Sequence, residues 1–207
     1  AREALISGLL TYDKRHGYRG PERRLPVGED AEANWLETLR DTAVIAGLHP
    51  AVVTAVQKEA VSLMFADGSR GELAWEIGIR QARPYRTENY MGAEPKSVEE
   101  VLAVGDMIRV TQTEEQAWQL TQVPAAQAAL VSLNPDNGAI ISIVGGMGFE
   151  LSKFNRATQA QRQPGSNFKP VVYAAAQDAG FTAASLINDA PVVMEDTSLE
   201  DIWRPEN

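Results

Sequence analysis

A chain of 207 residues, 44% of them hydrophobic, exceeds the usual size of one domain and can bury one large or two modest cores. Its net charge of −9 and pI near 4.8 argue against a nucleic-acid partner, because neutralising phosphates takes a concentrated basic face. The absence of cysteine excludes a disulfide framework, a thiolate metal site and a cysteine nucleophile, and no apolar run approaches the roughly 20 residues that span a bilayer. No signal peptide opens the chain, and its two ends, AREALISGLL and WRPEN, read as cuts through structure.

In the first region, residues 1–50, Ala4, Leu5, Ile6, Leu9 and Leu10 recur at helical spacing until Gly17 breaks the run. The connector GYRGPERRLPVG follows, and the four arginines between Arg15 and Arg24 are expected on a solvated linker. From Asp30 to Ala46 a second helix would carry Trp35, Leu36, Leu39 and Val44 near one face, with Gly47 and Pro50 as the stop. His16 and His49 have no neighbouring ligand or triad pattern and are expected on loops.

Between residues 51 and 124 the period changes. Val61, Leu63 and Phe65 alternate, Asp67-Gly68 is a hairpin signal, and Leu73 with Trp75 resumes the apolar pattern. Ser97 and Glu100 form an S-x-x-E capping box, and Gly105-Asp106 turns the chain into MIRVTQ, followed by AWQLTQVP. Short strands, one helical turn and frequent Gly or Pro predict a small OB-like β-barrel. Tyr85, Tyr90 and Trp118 would suit stacking on a sugar or partner, although Trp75 and Trp118 are expected to pack in the core.

Residues 125–207 open with AALVSLN and AIISIVGG, joined by Pro135-Asp136-Asn137-Gly138, a hairpin prediction because Asn137-Gly138 accepts positive φ. The polar stretch ELSKFNRATQAQRQ leads to PGSNFKPVVYAAAQ, where a helix from Ser166 would place Phe168, Val171, Val172 and Ala175 on one face and end at Gly180.

Within that helix Ser166 and Lys169 lie three apart, close enough for proton transfer. A serine hydroxyl becomes a nucleophile when a base takes its proton, and a lysine serves as that base only when neutral. Burial and the positive end of the helix dipole both favour the neutral form, and the Ser166 N–H could help hold an oxyanion. The alternative is that Ser166 only caps the helix while Lys169 reaches into solvent. Composition alone yields about a quarter of an S-x-x-K match by chance, so the bare pattern leaves both readings open.

PGSNFKP, preceded by the hairpin AALVSLNPDNGAIISIVGG and by FNRATQAQRQ, resembles the nucleophile region of penicillin-binding transpeptidases, which share S-x-x-K with serine β-lactamases. ALISGLLTYDKRHGYRGPE is similar to the connector after the glycosyltransferase module in bifunctional, class A members from Gram-negative bacteria. The resemblance implies an α+β multidomain fold: helices and linker over 1–50, an OB-like barrel insert over 51–124, and the N-terminal part of the transpeptidase domain over 125–207. It makes Ser166 the acyl-acceptor nucleophile and Lys169 its general base, acting on peptidoglycan stem peptides and trapped by β-lactams. No metal or organic cofactor is implied. Barrel inserts of this kind look like docking sites for a regulatory lipoprotein, and the implied setting is the periplasmic face of the inner membrane, with the anchor in a longer parent protein.

The family carries S-x-N and then K-T-G or K-S-G downstream of the nucleophile. Ser132-Leu133-Asn134 precedes it and reads as coincidence, and no K-T-G or K-S-G occurs before Asn207. The expectation is a segment unable to turn over substrate alone. Two other readings stand beside the transpeptidase: a serine β-lactamase or D,D-carboxypeptidase, and a non-catalytic docking or glycan-binding module.

Overall fold

The computed structural model describes residues 1–188 and divides the chain into two units, Ala1–Ala160 and Gln161–Asn207. In the first unit, helix α1 (Arg2–Lys14) buries Leu5 and Leu9, and α2 (Ala31–Arg40) buries Trp35 and Leu39. The second helix is shorter than the sequence suggested. Asp41 caps it, and the chain then makes a two-residue turn in which Ala46 and Gly47 both have positive φ (51° and 83°) and Ile45 bridges Leu48. Val44 is therefore off the helix and exposed.

The barrel sheet consists of β1 (Arg23–Arg24), β2 (His49–Val56), β3 (Ala60–Met64), β4 (Arg70–Ala74), β7 (Asp106–Gln112) and β8 (Trp118–Thr121). Its order is β1-β7-β2-β3-β4 with β8 also on β7, every pair antiparallel. It thus reaches outside 51–124 to recruit Arg23 and Arg24. Between β4 and β7 lie a π-helical turn (Trp75–Ile79), the short pair β5 (Tyr85–Thr87) and β6 (Tyr90–Met91), and a 3-10 turn (Val98–Glu100).

Register explains why the central strands are apolar on both faces. Val52 pairs with Met64 on one side and Met107 on the other, and this row packs against Ala31, Trp35 and Leu39 of α2. The intervening residues Ala51, Val53, Leu63 and Ile108 point the opposite way, into the interior with Leu73, Ile79, Val98 and Leu102. Each fully buried aliphatic side chain contributes about 1.5–3 kcal/mol of transfer free energy. A third cluster joins Leu5 and Leu9 of α1 to Ile45, Leu48 and Met147.

The Asp67-Gly68 turn joins β3 to β4 as expected, and the Asn137-Gly138 turn joins β9 (Leu130–Leu133) to β10 (Ile140–Val144), with Gly138 at φ 71°. The capping box does not form. Ser97 makes no capping bond, and the Glu100 carboxylate accepts instead from the Lys96 N–H at 2.9 Å, one residue earlier, because the turn is 3-10 and only one turn long. His49 is not on a loop: it opens β2 and meets the Trp118 ring edge to face at 5.7 Å. His16 follows α1, where Nδ1 donates to the Tyr12 carbonyl at 2.7 Å.

In the second unit, a 3-10 turn (Gly165–Phe168) runs into α3 (Lys169–Asp178). The helix ends in a Schellman arrangement, with Phe181 N–H on the Ala176 carbonyl and Gly180 N–H on Gln177.

Candidate functional site

Ser166 sits second in the 3-10 turn and Lys169 opens α3, with Pro170 just behind it where a missing N–H costs little. Residues three apart eclipse in a 3-10 turn, so the turn type brings the two onto one face more closely than an α-helix would. The Ser166 carbonyl accepts the Lys169 N–H. No side-chain cap forms at this helix start, so the hydroxyl is not used as an N-cap. Both side chains are exposed and neither bonds another described residue.

Among the described residues the Ser166 N–H likewise has no acceptor, as an oxyanion donor requires. Phe168, Val171, Val172 and Tyr173 are more than half exposed, so the face expected to be apolar exists in α3 without being buried by described residues. Asn134 of the S-L-N triplet acts locally. Its side chain accepts the Asp136 N–H at 2.8 Å and its carbonyl accepts from Gly138, which orders the β9–β10 turn.

The barrel aromatics divide. Trp118 packs on Phe65 at 4.7 Å and on the interior cluster, as does Trp75. Tyr85 is half-buried with the Arg19 guanidinium 5.4 Å from its ring, and Tyr90 is 65% exposed.

Three buried charges escaped the sequence reading. Asp13 accepts from Arg19 at 2.7 Å, Gln122 at 2.6 Å and the Ala125 N–H at 3.3 Å. Arg109 donates to Glu22 and to the carbonyls of Ala43 and Leu48. Asp106 accepts from the Ala103 N–H and lies 3.4 Å from Arg24 Nε. The arginine connector is therefore not simply solvated: Arg19 and Arg24 compensate carboxylates that could not be buried alone. Of the residues involved, Gly105-Asp106 carries a sequence signal, and that signal predicts a turn. Burial pushes the Tyr18 phenol up, and the nearby Asp106 and Glu22 push it further. Among the described residues no three His, Asp or Glu side chains gather as a metal site, and no helix is long and apolar enough to cross a membrane.

Residues 18–126 match the sequence profile of the penicillin-binding protein OB-like domain, and residues 128–206 that of the penicillin-binding protein transpeptidase domain. Over its full length the chain is 50% identical to penicillin-binding protein 1A of Pseudomonas aeruginosa, covering 25% of that protein. With the Escherichia coli protein of the same name it shares 47% identity and covers 24%. The crystal structure of penicillin-binding protein 1A from Haemophilus influenzae superposes with a TM-score of 0.75 at 34% identity, over all of this chain and 29% of that one. The chain spans about a quarter of the length of the curated relatives it matches. With the barrel profile covering more than half of its residues and the transpeptidase profile most of the rest, the chain belongs to the penicillin-binding protein family, as an OB-like domain followed by the first part of a transpeptidase domain.

Proposed function

We propose that the chain is a segment of a bifunctional glycosyltransferase/transpeptidase that cross-links peptidoglycan, with Ser166 as nucleophile and Lys169 as general base. The observation that carries this reading is the S-x-x-K pair on one face of a 3-10 turn, inside the stretch that matches the transpeptidase profile, with the serine amide unengaged by described residues.

Ser166 Oγ attacks the carbonyl of the penultimate D-Ala of a stem peptide while Lys169 Nζ takes its proton. The C–N bond to the terminal D-Ala breaks, that proton goes to the leaving amine, and an ester on Ser166 remains. A neighbouring stem's amine then attacks the ester, forms the cross-link and returns the hydroxyl. The Ser166 N–H stabilises the oxyanion in both steps. A β-lactam opens on the same serine and leaves a stable ester. The relatives carry penicillin binding in their names, and this chain's pair supplies the groups such acylation needs.

The reading places the chemistry at the periplasmic face of the inner membrane, with the barrel available to a regulatory lipoprotein. Intact mass of the full-length source protein, with and without a penicillin, followed by peptide mapping, tests it. An adduct on Ser166 in a chain heavier than 22.5 kDa is expected. A heavier, folded chain that stays unmodified would overturn the assignment. A β-lactamase or D,D-carboxypeptidase would release the adduct rapidly to water, whereas the transpeptidase holds it.

A further inference from the structure

The polar side chains of α3 fall in a single file. From Phe168 to Gln177 the residues with a hydrogen-bonding side chain are Lys169, Tyr173 and Gln177, at intervals of four, and Ser166 stands three before the first of them. At about 100° per residue, Tyr173 lies only about 40° round the helix from Lys169, one turn along, while Phe168, Val171, Val172 and Ala175 fall on its other sides. Tyr173 is thus the one polar group in the run 170–176 (PVVYAAA), and it stands behind the proposed base.

Long and aromatic side chains on a helix lean toward its N-terminus, over the residues three and four positions back. Lys169 therefore leans toward Ser166, and Tyr173 toward Lys169. Among the described residues neither the Tyr173 hydroxyl nor Lys169 Nζ has a hydrogen-bond partner, and both side chains are exposed. The file is not patterned as a solvated face either. The exposed side of α2 carries Glu32, Asn34, Glu37 and Arg40, whereas this one has no charge beyond Lys169 and includes an aromatic ring.

We propose that Tyr173 is a positioning residue for the general base: its phenol oxygen accepts an N–H of the Lys169 amine and so turns the nitrogen lone pair toward the Ser166 hydroxyl. The inference rests on the roles proposed above for Ser166 and Lys169. A neutral amine has one lone pair and two N–H groups, so a partner that accepts leaves the lone pair free for the serine proton. When that proton arrives Nζ becomes an ammonium, and the bond to the phenol oxygen strengthens because its donor is now charged. Tyr173 keeps its own proton throughout and touches neither substrate nor leaving group.

The test is acylation of the full-length source protein by a fluorescent penicillin over a range of concentrations, which separates the limiting rate from the half-saturation concentration. Tyr173→Phe keeps the ring and removes the hydroxyl. Its limiting rate is expected to fall about tenfold, the size of one hydrogen bond to a charged group, at unchanged half-saturation. In a Lys169→Ala background the same change should have no further effect, because the phenol acts through the amine. Gln177→Ala, one turn further along the file and out of reach of Lys169, should acylate like the unaltered protein. An unaltered limiting rate in Tyr173→Phe overturns the proposal. So does an equal fall in Gln177→Ala, or a fall that persists without Lys169, since the effect would then be one of general polarity or of packing. Should Tyr173→Phe melt at a lower temperature, the Lys169→Ala background still separates the roles, because a packing defect slows acylation in both. If Ser166→Ala still labels, or Lys169→Ala labels at the unaltered rate, the catalytic assignment itself fails and takes this inference with it; if both behave as assigned, a failure of Tyr173→Phe belongs to this inference alone.

Discussion

The carboxylate of Asp13, in the helix that precedes the barrel, accepts a 2.6 Å hydrogen bond from the side-chain amide of Gln122, 109 positions later, where the chain leaves it. The same amide also donates to the Gly17 carbonyl, and Gln122 Oε1 accepts the Arg19 N–H. Entry and exit of the barrel are thus held at one buried polar node. Asp13→Ala leaves Gln122, Arg19 and the Ala125 N–H without their acceptor. We expect a loss of about 3 kcal/mol, read as a lower denaturation midpoint at unchanged slope.

Arg109 is the complementary case, a buried cation with three acceptors at 2.6–3.1 Å. A lysine has no planar fork to reach Glu22 and two carbonyls together, so Arg109→Lys should cost about 2 kcal/mol despite keeping the charge. Chemical denaturation of both variants, singly and combined, also shows whether the two polar sites act independently.

Tyr18 supplies a prediction of opposite sign. Its hydroxyl is buried without a hydrogen-bond partner among the described residues, so Tyr18→Phe removes an uncompensated polar group and should stabilise by about 1 kcal/mol. The raised folded-state pKa adds a pH dependence. Stability is fully present below the ordinary tyrosine value of about 10 and falls as pH rises above it, because the unfolded phenol ionises first. Melting curves from neutral to alkaline pH should show that fall in the native protein and a smaller one in the variant.

Two glycines with nearly equal φ separate strain from collision. Gly17 (φ 95°) has no room for a Cβ, which would lie 2.8 Å from the Arg83 carbonyl oxygen and 2.9 Å from the Tyr85 nitrogen. Gly20 (φ 97°) faces open space. Gly20→Ala should cost about 1 kcal/mol from the backbone alone, and Gly17→Ala clearly more, since it must also part the Tyr18–Pro84 bridge. Equal thermal shifts would show that the close approach is unimportant.

At the proposed nucleophile, Lys169→Ala should slow penicillin acylation of the full-length protein by about 10²- to 10⁴-fold, as expected for loss of a general base. Stopped-flow labelling measures it. Ser166→Ala should abolish labelling, and because Ser166 is exposed and makes no side-chain cap, melting should not change.

Features whose physical causes are local could be read directly from the order of residues. Asp67-Gly68 and Asn137-Gly138 set their hairpins because few residues accept those backbone angles, and alternation over Val61–Leu63 marked a strand because side chains there alternate between faces. S-x-x-K was legible because three residues of spacing already place two side chains on one face. Features that rest on partners far along the chain emerge with the folded arrangement. That Arg23 and Arg24 become a strand depends on β7, more than 80 residues later, and that Asp13 and Arg109 can be buried charged depends on acceptors and donors from several separate segments. Helix α2 stops short of the span its spacing predicts for the same reason: the Ile45–Leu48 turn, held by the cluster it shares with Leu5 and Leu9, claims residues whose own spacing would continue a helix. Periodicity reports the face a residue prefers, whereas the partner it meets there is set by how the chain closes on itself.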